Sequence, residues 1–329
     1  MATSTTTVPS AGPVEGSRSF LSRLRDGDEI ARLITFLFAA SVVLVTLLLV
    51  FELWQGSVLA RHKFGLNFFF TRVWDPIFEQ FGALPFIYGT MVTSVVALLI
   101  AVPLGIGAAI FLAELAPQKI SATLQFFIDL LAAVPSVIYG LLGVFIVIPL
   151  MREYIQPALK STFGFLPLFQ GPAYGVGFLT AGIVLAIMVI PYIISVSREI
   201  LLSVPRDQRE AALALGATRW ESTWKVVVPF ARTGILGSVF LALARAVGET
   251  MAVTMVIGNA PAISASLFSP GDSIASVIAN QFTEATGDLY LQSLIELGLV
   301  LFLLTFILNG LARLLILVTT QRGAGTGLA

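Results

Sequence analysis

Two ionisable residues stand in an apolar run, where charge is costly. The stretch Ala242–Asn259 reads ALARAVGETMAVTMVIGN, and Arg245 and Glu249 within it are four residues apart. On an unbroken helix that spacing puts both on one face, one turn apart. Arg245 falls about 11 residues into the apolar segment, roughly 16 Å at 1.5 Å per residue and near the middle of a bilayer. An unpaired guanidinium at that depth costs at least ~2.5–3.5 kcal/mol. One reading is a self-neutralising pair that fixes helix packing, although buried pairs of this kind add little stability. In the other, both residues face a polar pathway. Arg245 would meet an anion with its planar fork of donors, and Glu249 would hold the guanidinium when the anion is absent. Ionisable groups inside a membrane are functional by default, which favours the pathway.

The other polar groups in apolar surroundings say less. Asp129 lies near the start of one apolar segment, at an interface, and Glu296 near the outer end of another. Thr250 and Thr254 share a face with each other and not with Arg245 and Glu249, which suits bonds back to their own helix. Ser136 and Tyr139, beside Pro135, either line a cavity or pack. The single histidine, His62, sits between Arg61 and Lys63 in a loop and can build no cluster. With no cysteine there is no disulfide framework and no thiolate metal site. The chain has no G-x-S-x-G and no second histidine, so an intramembrane enzyme lacks its nucleophile and base. It also has no G-x-x-x-x-G-K-[ST] loop, so it is not expected to bind or hydrolyse ATP itself. No cofactor or metal is expected, and nothing points to nucleic acid.

The second polar stretch is Glu210–Pro229, EAALALGATRWESTWKVVVP. It reads as two short helices with a bend between them. Pro205 suits a first helical position, where its missing N–H is no loss. Gly216 suits a left-handed C-terminal cap. Thr218 and Glu221 have the T-x-x-E spacing of a capping box that starts the second helix. Pro229 is expected to close the segment just before a new span.

These stretches are positioned by an apolar frame. Apolar residues make up 57% of the 329-residue chain and charged residues 12%, more apolar surface than a soluble domain of this length could hide. About 20 apolar residues cross a ~30 Å hydrocarbon core. Six spans are expected: 30–53, 86–113, 122–151 with Pro135 inside it, 174–196 interrupted by Pro191, 234–257 and 294–318. Between the first two lies an aromatic-rich loop, Trp54–Pro85, suited to the membrane interface. The loop 258–291 carries Asp272, Glu284 and Asp288 and no basic residue. Gly234, Gly237, Ala242, Ala244, Ala246 and Gly248 make span five small-faced, as close helix packing against another subunit would require. Thirteen of the nineteen Lys and Arg fall on the side of the termini and the Glu210–Pro229 loop. The positive-inside rule therefore places both termini and that loop in the cytoplasm.

The pattern E-A-A, three residues, Gly, nine residues, then aliphatic-x-aliphatic-Pro resembles the EAA loop of permease subunits of bacterial ABC importers. Glu210, Ala211, Ala212, Gly216, Val226, Val228 and Pro229 fill it, with Val at two sites where the general pattern prefers Ile and Leu. RAVGETMAVTMVIGN, FGALPFIYGT (81–90) and VPSVIYGLLG (134–143) are similar to the PstC-type permeases of bacterial phosphate importers. The resemblance covers nearly everything from Ile30 to Leu317. It implies an all-α membrane protein with six transmembrane helices, the type I ABC importer permease fold (MetI-like), and both termini cytoplasmic. The implied organisation is a disordered cytoplasmic tail at 1–29, a first helix and extracytoplasmic loop at 30–85, a transmembrane domain at 86–318 with its coupling loop at 200–229, and a tail at 319–329. The implied function is translocation of inorganic phosphate across the plasma membrane. The implied partners are a second permease of the PstA type, an ATPase subunit dimer that binds the ATP, an extracytoplasmic phosphate-binding protein, and membrane lipid. Arg245 and Glu249 map to residues implicated in phosphate passage. Glu210, Ala211, Ala212 and Gly216 map to the coupling helix that docks on the ATPase. A permease for sulfate, molybdate or phosphonate, or an ATP-independent channel or carrier, remains the alternative.

Overall fold

The computed structural model describes residues 28–324, with side chains for 30–317. All but the end of the expected N-terminal tail lies outside them. Among the described residues there is no strand beyond one antiparallel bridge, Asp75 to Gln80. Six helices are long and apolar enough to cross a membrane. They are α1 (Asp28–Gly56), α3 (Leu84–Leu115), α5 (Ser136–Phe163), α6 (Phe178–Leu202), α8 (Arg219–Val247) and α11 (Asp288–Ala324). Shorter helices join them: α2 (Val58–Phe64), α4 (Gln118–Ala132), α7 (Arg206–Ala214), α9 (Met251–Thr254) and α10 (Ile274–Gln281). The chain forms two compact units, one up to Glu52 and one from Leu53 onward. In the first, α1 is apolar on all sides and exposes its side chains, the composition of a helix solvated by lipid.

Several expected boundaries move, each for a local reason. The third span does not begin at 122. The chain breaks at Ala133–Pro135, because Pro135 disfavours helical geometry at the residue before it. Gln118–Ala132 becomes the separate, amphipathic α4. Pro191 does not interrupt its span, since α6 runs through it. Nor does Pro229 close the polar segment: α8 is continuous from Arg219, and Pro229 lies inside it. The sixth span ends near 318 as expected, and its helix continues to Ala324.

Four of the prolines share one repeated device, whereas Pro103 and Pro191 lie within continuous α-helix. Proline has no N–H for the carbonyl four residues back, and its ring collides with that carbonyl. Ahead of Pro117, Pro149, Pro157 and Pro229 the helix widens to a π turn, at Phe111–Leu115, Gly143–Val147, Met151–Ile155 and Thr223–Val227. The residue before each proline then donates five residues back, as Ala116 N–H does to the Phe111 carbonyl at 2.8 Å. The extra residue in the turn moves the obstructing carbonyl aside.

Helix α6 is the axis of the second unit. Leu185, Met188, Val189 and Ile193 are buried against residues of α3, α5, α8 and α9. Between helices in lipid, association comes from close van der Waals packing more than from removing water. Small residues set the approach of α3 to α6. A Cβ on Gly182 would collide with Val96 Cγ1, and one on Gly105 would lie 2.7 Å from Ile193 Cγ2. A second core lies at the other end of the bundle from the α6–α7 turn. It holds Phe68, Trp74, Phe81 and Phe86 against Ile274 and Val277 of α10 and Leu294 and Leu297 of α11. The Trp54–Pro85 stretch is thus partly helical and packed through its aromatics, with Trp74 edge-on to Phe81 at 4.8 Å, rather than a simple interfacial loop. Phe70 and Phe78 within it remain largely exposed.

Candidate functional site

Arg245 and Glu249 do not form the expected stacked pair. Helix α8 ends at Val247 with Gly248 as its C-cap, and Glu249 and Thr250 lie outside regular helix before α9 begins. Arg245 therefore stands in the final turn of its helix, where the helix dipole favours a cation, level with Tyr192 in the middle of α6. Glu249 lies beyond the end, and its Oε1 accepts the Ala252 N–H at 3.2 Å, which opens α9. Among the described residues Arg245 forms no ion pair. Its guanidinium lies 6.0 Å from the centroid of the Tyr192 ring on α6 and is exposed. Thr254 Oγ1 bonds back to the Thr250 carbonyl at 2.7 Å, as its spacing suggests. The small residues of α8 divide. Ala242 and Ala246 are buried against the α6 core, whereas a Cβ added to Gly237 would meet nothing within 4 Å.

Tyr192 marks a stripe that the sequence did not single out. Helix α6 is the most buried of the six, yet along one side Tyr192 and Ser195, spaced three apart, are only half-buried, and Glu199, four further on, is exposed. Ser195 Oγ donates to Asp129 Oδ1 at 2.8 Å, and Gln125 Nε2 reaches both, at 2.7 Å to the carboxylate and 3.0 Å to the hydroxyl. Asp129 thus sits on α4 and is tied to α6. Tyr139 is buried and donates to the Leu131 carbonyl at 2.7 Å, so it packs and secures the break at Pro135. The available signal was the i, i+3, i+7 spacing of polar residues on an otherwise apolar helix.

The Glu210–Pro229 segment is built nearly as its residues dictate. Pro205 precedes α7 as its cap, one residue earlier than expected. Gly216 has φ +86°, the left-handed region where a Cβ is disfavoured, and the Ala217 N–H closes the turn on the Ala212 carbonyl at 3.1 Å. Thr218 and Glu221 form both bonds of the capping box at the start of α8. Helix α7 buries none of its residues. Glu210 and Ala211 are exposed, Ala212 is half-buried, and Leu215 at the tip is 89% exposed. Trp220 and Trp224 lie edge-on at 5.6 Å, both largely uncovered. A helix that hides nothing of its own, followed by an exposed leucine and by two exposed tryptophans at the start of α8, presents an apolar face to a partner.

A family model described as "Binding-protein-dependent transport system inner membrane component" matches residues 101–317, which include α6, the α7 turn and α8. The chain belongs to this family. It is 48% identical over 285 residues to a protein of Mesorhizobium japonicum named phosphate transport system permease protein PstC, covering 85% of this chain and 87% of that one. A Pasteurella multocida protein of the same name is 49% identical, covering 86% and 89%. Among solved structures, a permease chain of a bacterial alginate ABC transporter in complex with its periplasmic protein superposes with a TM-score of 0.56 at 15% identity, covering 90% of this chain and 96% of that one. A chain of the inward-facing MetNI methionine ABC transporter gives 0.53 at 15%, covering 75% and 99%. At that identity the likeness shows the fold, which is that of type I ABC importer permeases. This member of the family is a multi-pass inner-membrane protein, and its permease fold places the α7 turn at one end of the bundle and Arg245 near the far end of α8.

Proposed function

We propose that this permease forms part of a phosphate pathway in an importer driven by a separate ATPase. The observation that carries the reading is Arg245, an exposed guanidinium with no carboxylate partner among the described residues, held against Tyr192 on the half-buried polar side of α6. A bare cation in an apolar helix is tolerated where water or an anion meets it. A planar fork of five donors matches a tetrahedral oxyanion. A guanidinium alone would serve sulfate as well, and what favours phosphate is the similarity to relatives named for phosphate transport.

The distribution of basic residues supports cytoplasmic termini and a cytoplasmic α7 turn. There the exposed face of Glu210, Ala211 and Leu215 suits a groove on an ATPase subunit, which binds the nucleotide that this chain has no motif for. One turn of this kind per chain fits one ATPase subunit of a dimer, with a second permease of the PstA type docking the other. An extracytoplasmic phosphate-binding protein would deliver the ion at the opposite face. Closure of the ATPase dimer would move α7, and the bundle would rock to open the Arg245 region to one side and then the other. Arg245→Gln keeps some of the length and donors but removes the charge. It is expected to leave the protein inserted and assembled while abolishing phosphate uptake in membrane vesicles. Wild-type uptake by that variant would reduce Arg245 to a packing residue.

A further inference from the structure

A coupling helix can transmit force only if something fastens it to the spans, and α7 has no buried side chain to do so. Its fastening is polar. Arg209 projects from α7 between the ends of two spans. Its Nε lies 3.2 and 3.3 Å from the two carboxylate oxygens of Glu114, and Nη2 lies 2.8 Å from Oε1. Glu114 belongs to the π turn that ends α3. The same guanidinium donates through Nη2 to the Leu201 carbonyl at 2.7 Å, in the last turn of α6, and through Nη1 to the Val204 carbonyl. One side chain therefore holds the end of α3, the end of α6 and the start of α7.

The joint is well placed to carry load. The Arg209 and Glu114 side chains are only 20% and 11% exposed, so the pair is weakly screened, unlike surface ion pairs. It sits at the edge of an apolar core in which Ile110 and Leu112 of α3, Ile194 and Leu201 of α6, and Val227 and Ala231 of α8 meet. A displacement of Arg209 therefore pulls directly on α3 and α6, which share this core with α8. A cavity of about 210 Å³ beside it, lined by Glu114, Arg209, Leu213, Arg219, Ser222 and Thr223, leaves room for that displacement. Lysine could not substitute, because its point charge cannot hold a carboxylate and two carbonyls in one plane.

We propose that Arg209 and Glu114 are positioning residues that form the transmission joint between the coupling helix and spans α3 and α6. The proposal rests on the reading of α7 as the ATPase dock. The test uses the whole transporter in liposomes, with uptake of labelled phosphate and ATP hydrolysis measured together for wild type, Arg209→Lys and Glu114→Gln. Retention of the ATPase on affinity-purified permease and the melting temperature in detergent are read in parallel. The expected result is a fall of at least tenfold in phosphate taken up per ATP hydrolysed, with the ATPase still retained and melting little changed. A ratio equal to wild type in both variants would overturn the joint. So would loss of ATPase retention together with a collapsed melting temperature, which would make the pair a structural clamp only. If the wild-type complex shows no ATP-driven uptake, the transport reading itself fails and the joint falls with it.

Discussion

Replacing Asp272 by asparagine should make the protein more stable at alkaline pH than at acidic pH, relative to wild type. Asp272 lies in the extended segment between α9 and α10 and is 1% exposed. Its Oδ1 accepts the Ser273 N–H at 2.9 Å, while Oδ2 is buried without a partner among the described residues. Burial pushes the carboxyl from 3.8 up to about 7, against smaller opposing effects of the Ser276 and Ser273 hydrogen bonds. Between those values the folded chain keeps a proton that the unfolded chain releases. Stability is therefore fully present below the unfolded value and is lost as pH rises through the folded one. Each pH unit costs about 1.4 kcal/mol, and the window accumulates roughly 4 kcal/mol by pH 8. An asparagine in its place would keep the Ser273 bond and have no proton to lose. Its own effect on packing adds a constant, while the pH-dependent part of the difference belongs to the carboxyl. The assay is thermal unfolding in detergent of Asp272→Asn and wild type from pH 5 to pH 9. The difference in melting temperature should move in favour of the variant by several degrees across that range. A difference that stays flat would show that Asp272 is not the buried acid described here.

Two further predictions address how the site is held. Thr218→Ala removes the acceptor of the capping box and should cost about 1 kcal/mol locally, seen as faster amide exchange in the first turn of α8; unchanged exchange there would show that the box contributes nothing. Gly182→Ala forces a Cβ into Val96 and should destabilise by ~1–3 kcal/mol, and Val96→Ala in the same chain should recover most of it. Failure of that rescue would mean that the contact between α3 and α6 is not limiting.

What the sequence made legible follows from which physical signals are local. A run of apolar residues long enough for a bilayer is a local signal, and all six spans appear, with shifted ends, where hydropathy places them. The Thr218–Glu221 box and the left-handed Gly216 are also local, needing three to five residues of context, and both form. The failures needed knowledge of what the chain does next. Four-residue spacing pairs Arg245 with Glu249 only if the helix continues, and it stops at Val247. Gln118–Ala132 merges with the following apolar run in any hydropathy window, and only the break at Pro135 separates an amphipathic helix from a span. Pro229 reads as a terminator because proline usually is one, whereas the π turn of Thr223–Val227 absorbs it. The tie from Arg209 to Glu114 crosses 95 residues of sequence, and no local pattern announces it. The polar stripe of Tyr192, Ser195 and Glu199 was present as spacing, but its meaning depends on α6 being buried elsewhere.

The most direct test of the account is ATP hydrolysis by the reconstituted transporter with its binding protein, titrated in parallel with phosphate and with sulfate. Phosphate is expected to stimulate hydrolysis and sulfate is not. Stimulation by sulfate, or by neither ion, would contradict the assignment of phosphate to the Arg245 pathway.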